Sequence, residues 1–187
     1  MKERPIIMTS ESVRAILDGR KTQARMVMKP QPELRCNFYE FGGAGWSCSI
    51  TSITPINGHS LYYACPYGVP GDRLWVREKF KIGQGRSIVY FDTPSRWAEG
   101  MSWKPSIFMP RWASRITLEV VNVRVEQLTD ISDSDCYAEG IISPQNDTLG
   151  EPYYSFKDLW DSLNAKRGYP WSSNPWVRVI GFRRVSP

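Results

Sequence analysis

The chain has 187 residues, a formal net charge of +5 and a sequence pI near 9.1, with 41% hydrophobic and 13% aromatic residues. That composition supplies a core and excludes global disorder, and the length fits one domain with insertions. The positive balance permits an anionic partner such as nucleic acid without demanding one.

Arg4 to Met8 reads as a first strand, with Pro5 tolerated near its start. Thr9 or Ser10 can cap a helix whose stripe is Val13, Ile16 and Leu17, with Glu11 in the first turn and Gly19 as the residue just past its end. Arg20, Lys21 and Thr22 then follow at the negative end of the helix dipole. Arg25 to Met28 is a second strand, ended by Lys29-Pro30-Gln31-Pro32. Cys36 to Phe41 and Trp46 to Ile53 flank Gly42-Gly43-Ala44-Gly45 and predict a hairpin. No Lys-Ser or Lys-Thr closes that glycine cluster into a phosphate cradle, so it reads as a turn.

Residues 54 to 72 read as an irregular, rigid connection, dense in Pro and Gly towards Asp72. Leu74 to Phe80 alternates as a strand with Trp75 and Arg77 on its wet face. Lys81 to Arg86 is a basic loop, and Ile88 to Phe91 a further strand. Asp92 to Trp103 has no periodicity, and Pro105 to Met109 reads as strand-like. Arg115 to Val125 is the longest strand signal, and its apolar set changes phase at Val120-Val121, which predicts a bulge. Ser132 caps a short helix that stops at Gly140, and a second helix spans Ser155 to Asn164 with Phe156, Leu159, Trp160 and Leu163 on one face. Trp176 to Val185 is the last strand, interrupted by Gly181, with Arg178 and Arg184 on one face and Arg183 on the other. Six or more strands with few helices predict an α+β or mostly-β domain, a small and partly open barrel.

Cysteines occur at 36, 48, 65 and 136, with no CxxC pair. Cys36, Cys48, His59 and Cys65 match no zinc spacing, so no metal site is expected. His59 is the only histidine, which leaves a His-based triad without support. With no leader pattern in Lys2-Glu3-Arg4-Pro5 and no apolar run near membrane length, the expected setting is cytoplasmic, with reduced thiols and no membrane partner.

Four blocks in order carry a resemblance. They are Arg4-Pro5-Ile6 with Val13-Arg14-Ala15-Ile16-Leu17-Asp18-Gly19-Arg20-Lys21-Thr22-Gln23; the run from Cys65-Pro66-Tyr67-Gly68 through Pro70-Gly71-Asp72-Arg73-Leu74-Trp75-Val76-Arg77-Glu78; Met109-Pro110-Arg111-Trp112-Ala113-Ser114-Arg115-Ile116-Thr117-Leu118-Glu119-Val120; and Asn174-Pro175-Trp176-Val177. Together they resemble the ASCH domain, a branch of the PUA-like barrels, and are similar to the longer ASCH proteins of bacteriophages and prophages. The resemblance covers most of residues 1–187 as a single domain, and is weakest over 33–60 and 81–104, where insertions are expected. It implies a small β-barrel with helices at the rim, a cleft beside the Gly-Arg-Lys-Thr loop, and RNA or nucleic-acid components as ligands, so the expected partner is nucleic acid or a nucleoside or nucleotide; no cofactor is expected.

A small bacterial member of that family hydrolyses N(4)-acetylcytidine with a Lys in this loop, a Thr three residues later and a more distant Glu. By that resemblance the Lys corresponds to Lys21 and the Glu to Glu139, while Ala24 stands where the Thr would be. Thr22 is the remaining hydroxyl beside Lys21 and is expected to substitute if it turns inward.

The residues themselves allow two chemistries. A desolvated Lys21 can accept a proton, and a solvated one can hold a phosphate or carboxylate, with Arg20 assisting either. Glu139 at a helix end opposes the dipole and predicts a cationic partner, for which Lys21 is the candidate. Glu78 is a second carboxylate expected at the cleft. Trp75 with Arg77, Arg111 with Trp112 and Arg115, and Trp176 with Arg178 pair a cation with a ring, as single-stranded or flipped-base recognition requires. The expected function is a nucleic-acid or nucleoside-binding domain that recognises a modified base. The alternatives are an amidohydrolase of N(4)-acylated cytidine-type nucleosides and, more distantly, a metal-independent ribonuclease.

Overall fold

The long Ile/Thr/Val run forms the central strand of the main sheet. In the computed structural model, which describes residues 1–57, 59–83, 85, 87–93, 100, 102–142 and 151–185, the strands are β1 (Glu3–Ile7), β2 (Gln23–Val27), β3 (Glu33–Arg35), β4 (Phe38–Phe41), β5 (Ala44–Ser47), β6 (Ser52–Ile53), β7 (Arg73–Arg77), β8 (Phe80–Ile82), β9 (Ile88–Tyr90), β10 (Thr117–Gln127) and β11 (Trp176–Val185). The α-helices are α1 (Ser10–Leu17), α2 (Ser60–Tyr63), α3 (Asp133–Ala138) and α4 (Glu151–Asn164). The molecule is a mixed α+β fold, mostly sheet with short helices.

A six-stranded sheet runs in the order β1-β7-β10-β11-β2, with β6 also on β10. β1 lies parallel to β7, and the other pairings in this sheet are antiparallel. Among the described residues no pairing joins β1 to β2. β10 is long enough to take β7 along its first half, from Thr117 to Glu119, and β6 near its end, at Val125 and Glu126. Its register against β11 shifts between Val120 and Asn122, at the expected change of phase. Val121 is thereby thrown outwards, 51% exposed. Gly181 lies opposite Asn122, where a Cβ would come within 2.5 Å of the Asn122 Oδ1, so the glycine makes room for the bulge.

Ile6, Val13, Ile16, Leu74, Val76, Leu118, Val120 and Ile180 form the main core between α1 and the sheet. A second cluster packs Phe156 and Trp160 of α4 with Cys136, Trp171, Val177 and Val179. A third joins β4 and β5 to the sheet through Trp46 and Trp176, whose rings meet edge to face at 5.2 Å.

Four expectations change. The glycine tip is tighter than read, because Ala44 and Gly45 already belong to β5, and β6 leaves that hairpin for the main sheet. Pro105 to Met109 is not a strand but holds one 3-10 turn at Ser106–Phe108, as suits a Pro that removes a ladder donor. The strand expected over 74–80 ends at Arg77 and restarts at Phe80, and Trp75 is 8% exposed, buried rather than on a wet face. The stretch 54–72 contains α2, capped by the His59 side chain. The polar excursion at 92–103 falls largely outside the described residues.

Candidate functional site

Lys21 is aimed by backbone hydrogen bonds before any side chain acts. Thr9 Oγ1 accepts from the Ser12 amide and starts α1. Gly19 takes φ +76° just past the helix, and the amides of Arg20 and Lys21 both donate to the Ala15 carbonyl at 2.9 and 3.0 Å. The Thr22 amide then donates to the Ala138 carbonyl at 2.8 Å, and the Thr22 carbonyl accepts from the Phe182 amide at 2.8 Å. The loop is therefore fastened to α1, α3 and β11 together. Gly140, at φ +92°, closes the packing: a Cβ there would sit 2.9 Å from the Ala15 Cβ and 3.2 Å from the Lys21 Cβ.

This geometry brings together the pair expected from the helix-end argument. The Lys21 Nζ donates to Glu139 Oε2 at 2.6 Å and to the Glu139 carbonyl at 2.7 Å, with both side chains almost wholly buried. Arg25 on β2 extends the pair into a network. Its Nη1 donates to Glu139 Oε1 at 3.0 Å, its Nη2 to Glu126 Oε1 at 2.6 Å and to Asp135 Oδ2 at 3.1 Å. Arg124 reaches the other oxygens of Glu126 and Asp135 at 2.7 and 2.9 Å, and the Gln23 amide also donates to Asp135. Three cations thus face three carboxylates. Burial on its own would raise the Asp135 carboxyl, but Gln23, Arg25 and Arg124 outweigh it and hold the group below its ordinary range.

A cleft of about 780 Å³ opens over this network. Lys21, Arg25 and Glu139 line it, and Ala24 lines it beside them. α4 supplies an apolar wall of Phe156, Leu159, Trp160 and Leu163, the stripe legible from its spacing. Pro5 and Ile7 of β1, Met8 just after it and the start of α1 also line the cleft, as do Arg77, Lys79 and Phe91. That volume lies within the roughly 300–1,000 Å³ of small-molecule sites.

Of the expected ligand contacts, Lys21 and Arg77 reach the cleft. Arg77 stacks over the Trp75 ring at 4.6 Å, so Trp75 supports it from beneath. Thr22 is exposed and does not line the cleft, because Thr22 precedes β2 rather than sharing a strand face with Ala24. Arg20 is engaged by the Gly140 carbonyl and Asp18, each at 2.9 Å, outside the cleft lining. Glu78, 2% exposed, accepts from the Nε and Nη2 of Arg115 at 2.9 and 2.8 Å, and Asp92 closes on the same arginine. Burial pushes the Glu78 carboxyl up despite Arg115. Arg111 pairs with Glu3 at 2.9 Å and Trp112 is 51% exposed, so neither they nor Glu78 and Arg115 line the cleft. Arg25, Lys79, Phe91, Asn164 and Arg167 also line the cleft, and a single sequence carries no local signal for them.

The chemistry available is donor-rich. An ammonium has three N–H groups, and Glu139 takes two of those on Lys21, so one has no partner among the described residues. Glu139, the acceptor beside Lys21, also accepts from Arg25. The arrangement thus favours Lys21 as a hydrogen-bond donor to a carbonyl or oxyanion. No group of three or more His, Cys, Asp and Glu is placed to hold a metal ion among the described residues, since the carboxylates here point at guanidinium and ammonium groups. No helix among them is long and apolar enough to cross a membrane. Comparison of the chain with protein-family models, with curated proteins and with solved structures found no match.

Proposed function

We propose that the protein binds a nucleobase or nucleoside, free or within RNA or DNA, in the cleft over Lys21, as an ASCH-type domain with a PUA-like barrel would. One observation carries the reading: a single cleft joins the buried Lys21–Glu139–Arg25 donors and acceptors to the aromatic and aliphatic wall of α4. A planar, polar-edged ring needs both, a surface on which to stack and charged groups that read its edge. The residues 4–6, 13–23, 65–78, 109–120 and 174–177 that resemble the family include parts of β1 and α1 and the Lys21 loop around this cleft.

Calorimetric titration with the four common ribonucleosides, N(4)-acetylcytidine and a short single-stranded RNA tests the proposal. We expect micromolar to millimolar binding of at least one, weakened roughly tenfold or more by Leu163→Asp on the wall and by Lys21→Gln on the ionic side. Leu163 is 38% exposed, so its variant keeps the fold. Binding of none of these ligands, or binding indifferent to both variants, sinks the reading.

A second reading, hydrolysis of an acylated cytidine-type amide, is favoured by Lys21, Glu139 and Ala24 lining one cleft. Water would add to the amide carbonyl and give a proton to Glu139, Lys21 would donate to the developing oxyanion, and Glu139 would pass that proton to the amine nitrogen as the C–N bond breaks, releasing a carboxylate and the free amine. Turnover of N(4)-acetylcytidine by the parent supports it. Turnover seen only after Ala24→Thr rules it out for this chain.

A further inference from the structure

A second cavity of about 410 Å³ adjoins the Lys21 cleft, and both are lined by Arg25, Met26, Tyr67, Asn164 and Arg167. Its lining has four cations, Arg25, Lys29, Arg167 and Arg178, and no Asp or Glu. Arg25 already meets three carboxylates, so its charge is balanced internally. Arg178 is different. It is 3% exposed, it makes no ion pair among the described residues, and its Nε has no hydrogen-bond acceptor there. Its guanidinium stands 5.3 Å over the Phe41 ring, which supplies a weak attraction and no charge.

The other groups near Arg178 do not balance it either. Burial raises both the Cys65 thiol and the Tyr67 phenol, so both stay neutral at physiological pH. Burial also draws Arg178 below its ordinary value, the mark of a cation without an anion. The position is fixed by the ladder, with Arg178 between Met26 of β2 and Val125 of β10. Lys29 and Arg167 are exposed and line the same cavity.

We propose that this cavity is a phosphate subsite, holding the phosphate ester of a nucleotide whose base occupies the Lys21 cleft. The proposal rests on the preceding reading for the base, and on Arg178 for the phosphate. A forked guanidinium matches two phosphate oxygens at once, and two further cations suit a group that carries up to two negative charges. The shared lining lets one ligand reach from cleft to cavity. A terminal phosphate and a backbone phosphodiester each present at least two non-bridging oxygens to such a fork.

The test compares a bound nucleoside with its 5′-monophosphate, its 3′-monophosphate and its dinucleotide, at constant ionic strength. The parent should bind at least one phosphate form roughly ten- to a hundredfold tighter than the nucleoside. That ratio should fall towards one in Arg178→Gln and drop in part in Lys29→Gln and Arg167→Gln, exposed positions whose variants fold. Arg183→Gln, on an exposed arginine paired with Glu119, should keep it. A tighter monophosphate marks a terminal-phosphate site, and a tighter dinucleotide a backbone site. Equal affinities for all forms, or a ratio that survives Arg178→Gln, overturns the proposal. If no nucleoside binds, inorganic phosphate alone decides: a rise in Tm for the parent and not for Arg178→Gln sustains the subsite, and no rise overturns it.

Discussion

Arg25 and Arg178 sit on neighbouring strands at almost the same depth, 7% and 3% exposed, yet their surroundings are opposite. Arg25 has all its partners inside the chain, in Glu126, Asp135 and Glu139. Arg178 has a phenyl ring, a neutral thiol and a neutral phenol. A buried guanidinium is desolvated in either case, and only partners repay the desolvation. Arg25 therefore completes the fold and holds the cleft's ionic side in place. Among the described residues Arg178 meets no anion, and it lines a cavity.

The sharpest way to break the contrast is to remove each guanidinium in turn. Arg25→Met leaves three carboxylates with Lys21 and Arg124 as their remaining cations, and we expect a loss of about 3–5 kcal/mol in urea unfolding. A loss below about 1 kcal/mol would mean that the network contributes little. Arg178→Met removes a buried charge without stranding a partner, so stability should hold or rise by about 1 kcal/mol. A loss as large as that of Arg25→Met would show that Arg178 has a structural anion, and the contrast would collapse.

Much of this arrangement was legible locally, and the part that was not is long-range. Gly19 and Gly140 were readable as helix stops, and both take positive φ. The change of phase at Val120-Val121 was readable as a bulge, because a period of two cannot slip without one. Glu139 at a helix end predicted a cation, and Lys21, 118 positions away, supplies it. The role of Arg25 was invisible, since its acceptors lie 101 to 114 positions further on and nothing near Arg25 hints at them. Thr22 failed as an inward hydroxyl because the backbone bonds to Ala138 and Phe182 fix the loop before β2 begins. Arg111 and Arg115 looked free beside aromatics, yet Glu3, Glu78 and Asp92 take them, and such pairing is set by tertiary structure rather than by spacing. Spacing places Arg178 among several cation–ring pairs, and its lack of an ion pair among the described residues emerges only from the tertiary arrangement of its neighbours.

The smallest expected effect extends the contrast to carboxylates, through pH. Asp135 belongs to the cleft network and titrates below its ordinary 3.8. Because the folded value is depressed, its contribution is fully present above the unfolded value and is lost as pH falls through the folded one. Glu78 titrates above its ordinary 4.5, driven by burial that Arg115 does not cancel. Its contribution is fully present below the unfolded value and is lost as pH rises through the folded one. Urea unfolding of the parent, Asp135→Asn and Glu78→Gln from about pH 3 to about pH 7 should therefore give two trends of opposite sign. The stability of the parent relative to Asp135→Asn should rise with pH at the acid end. Relative to Glu78→Gln it should decline at higher pH, above the ordinary glutamate range. Parallel trends would mean that Arg115 satisfies Glu78 as fully as Arg25 and Arg124 satisfy Asp135, and the cleft network would then be no better compensated than the Glu78 pair.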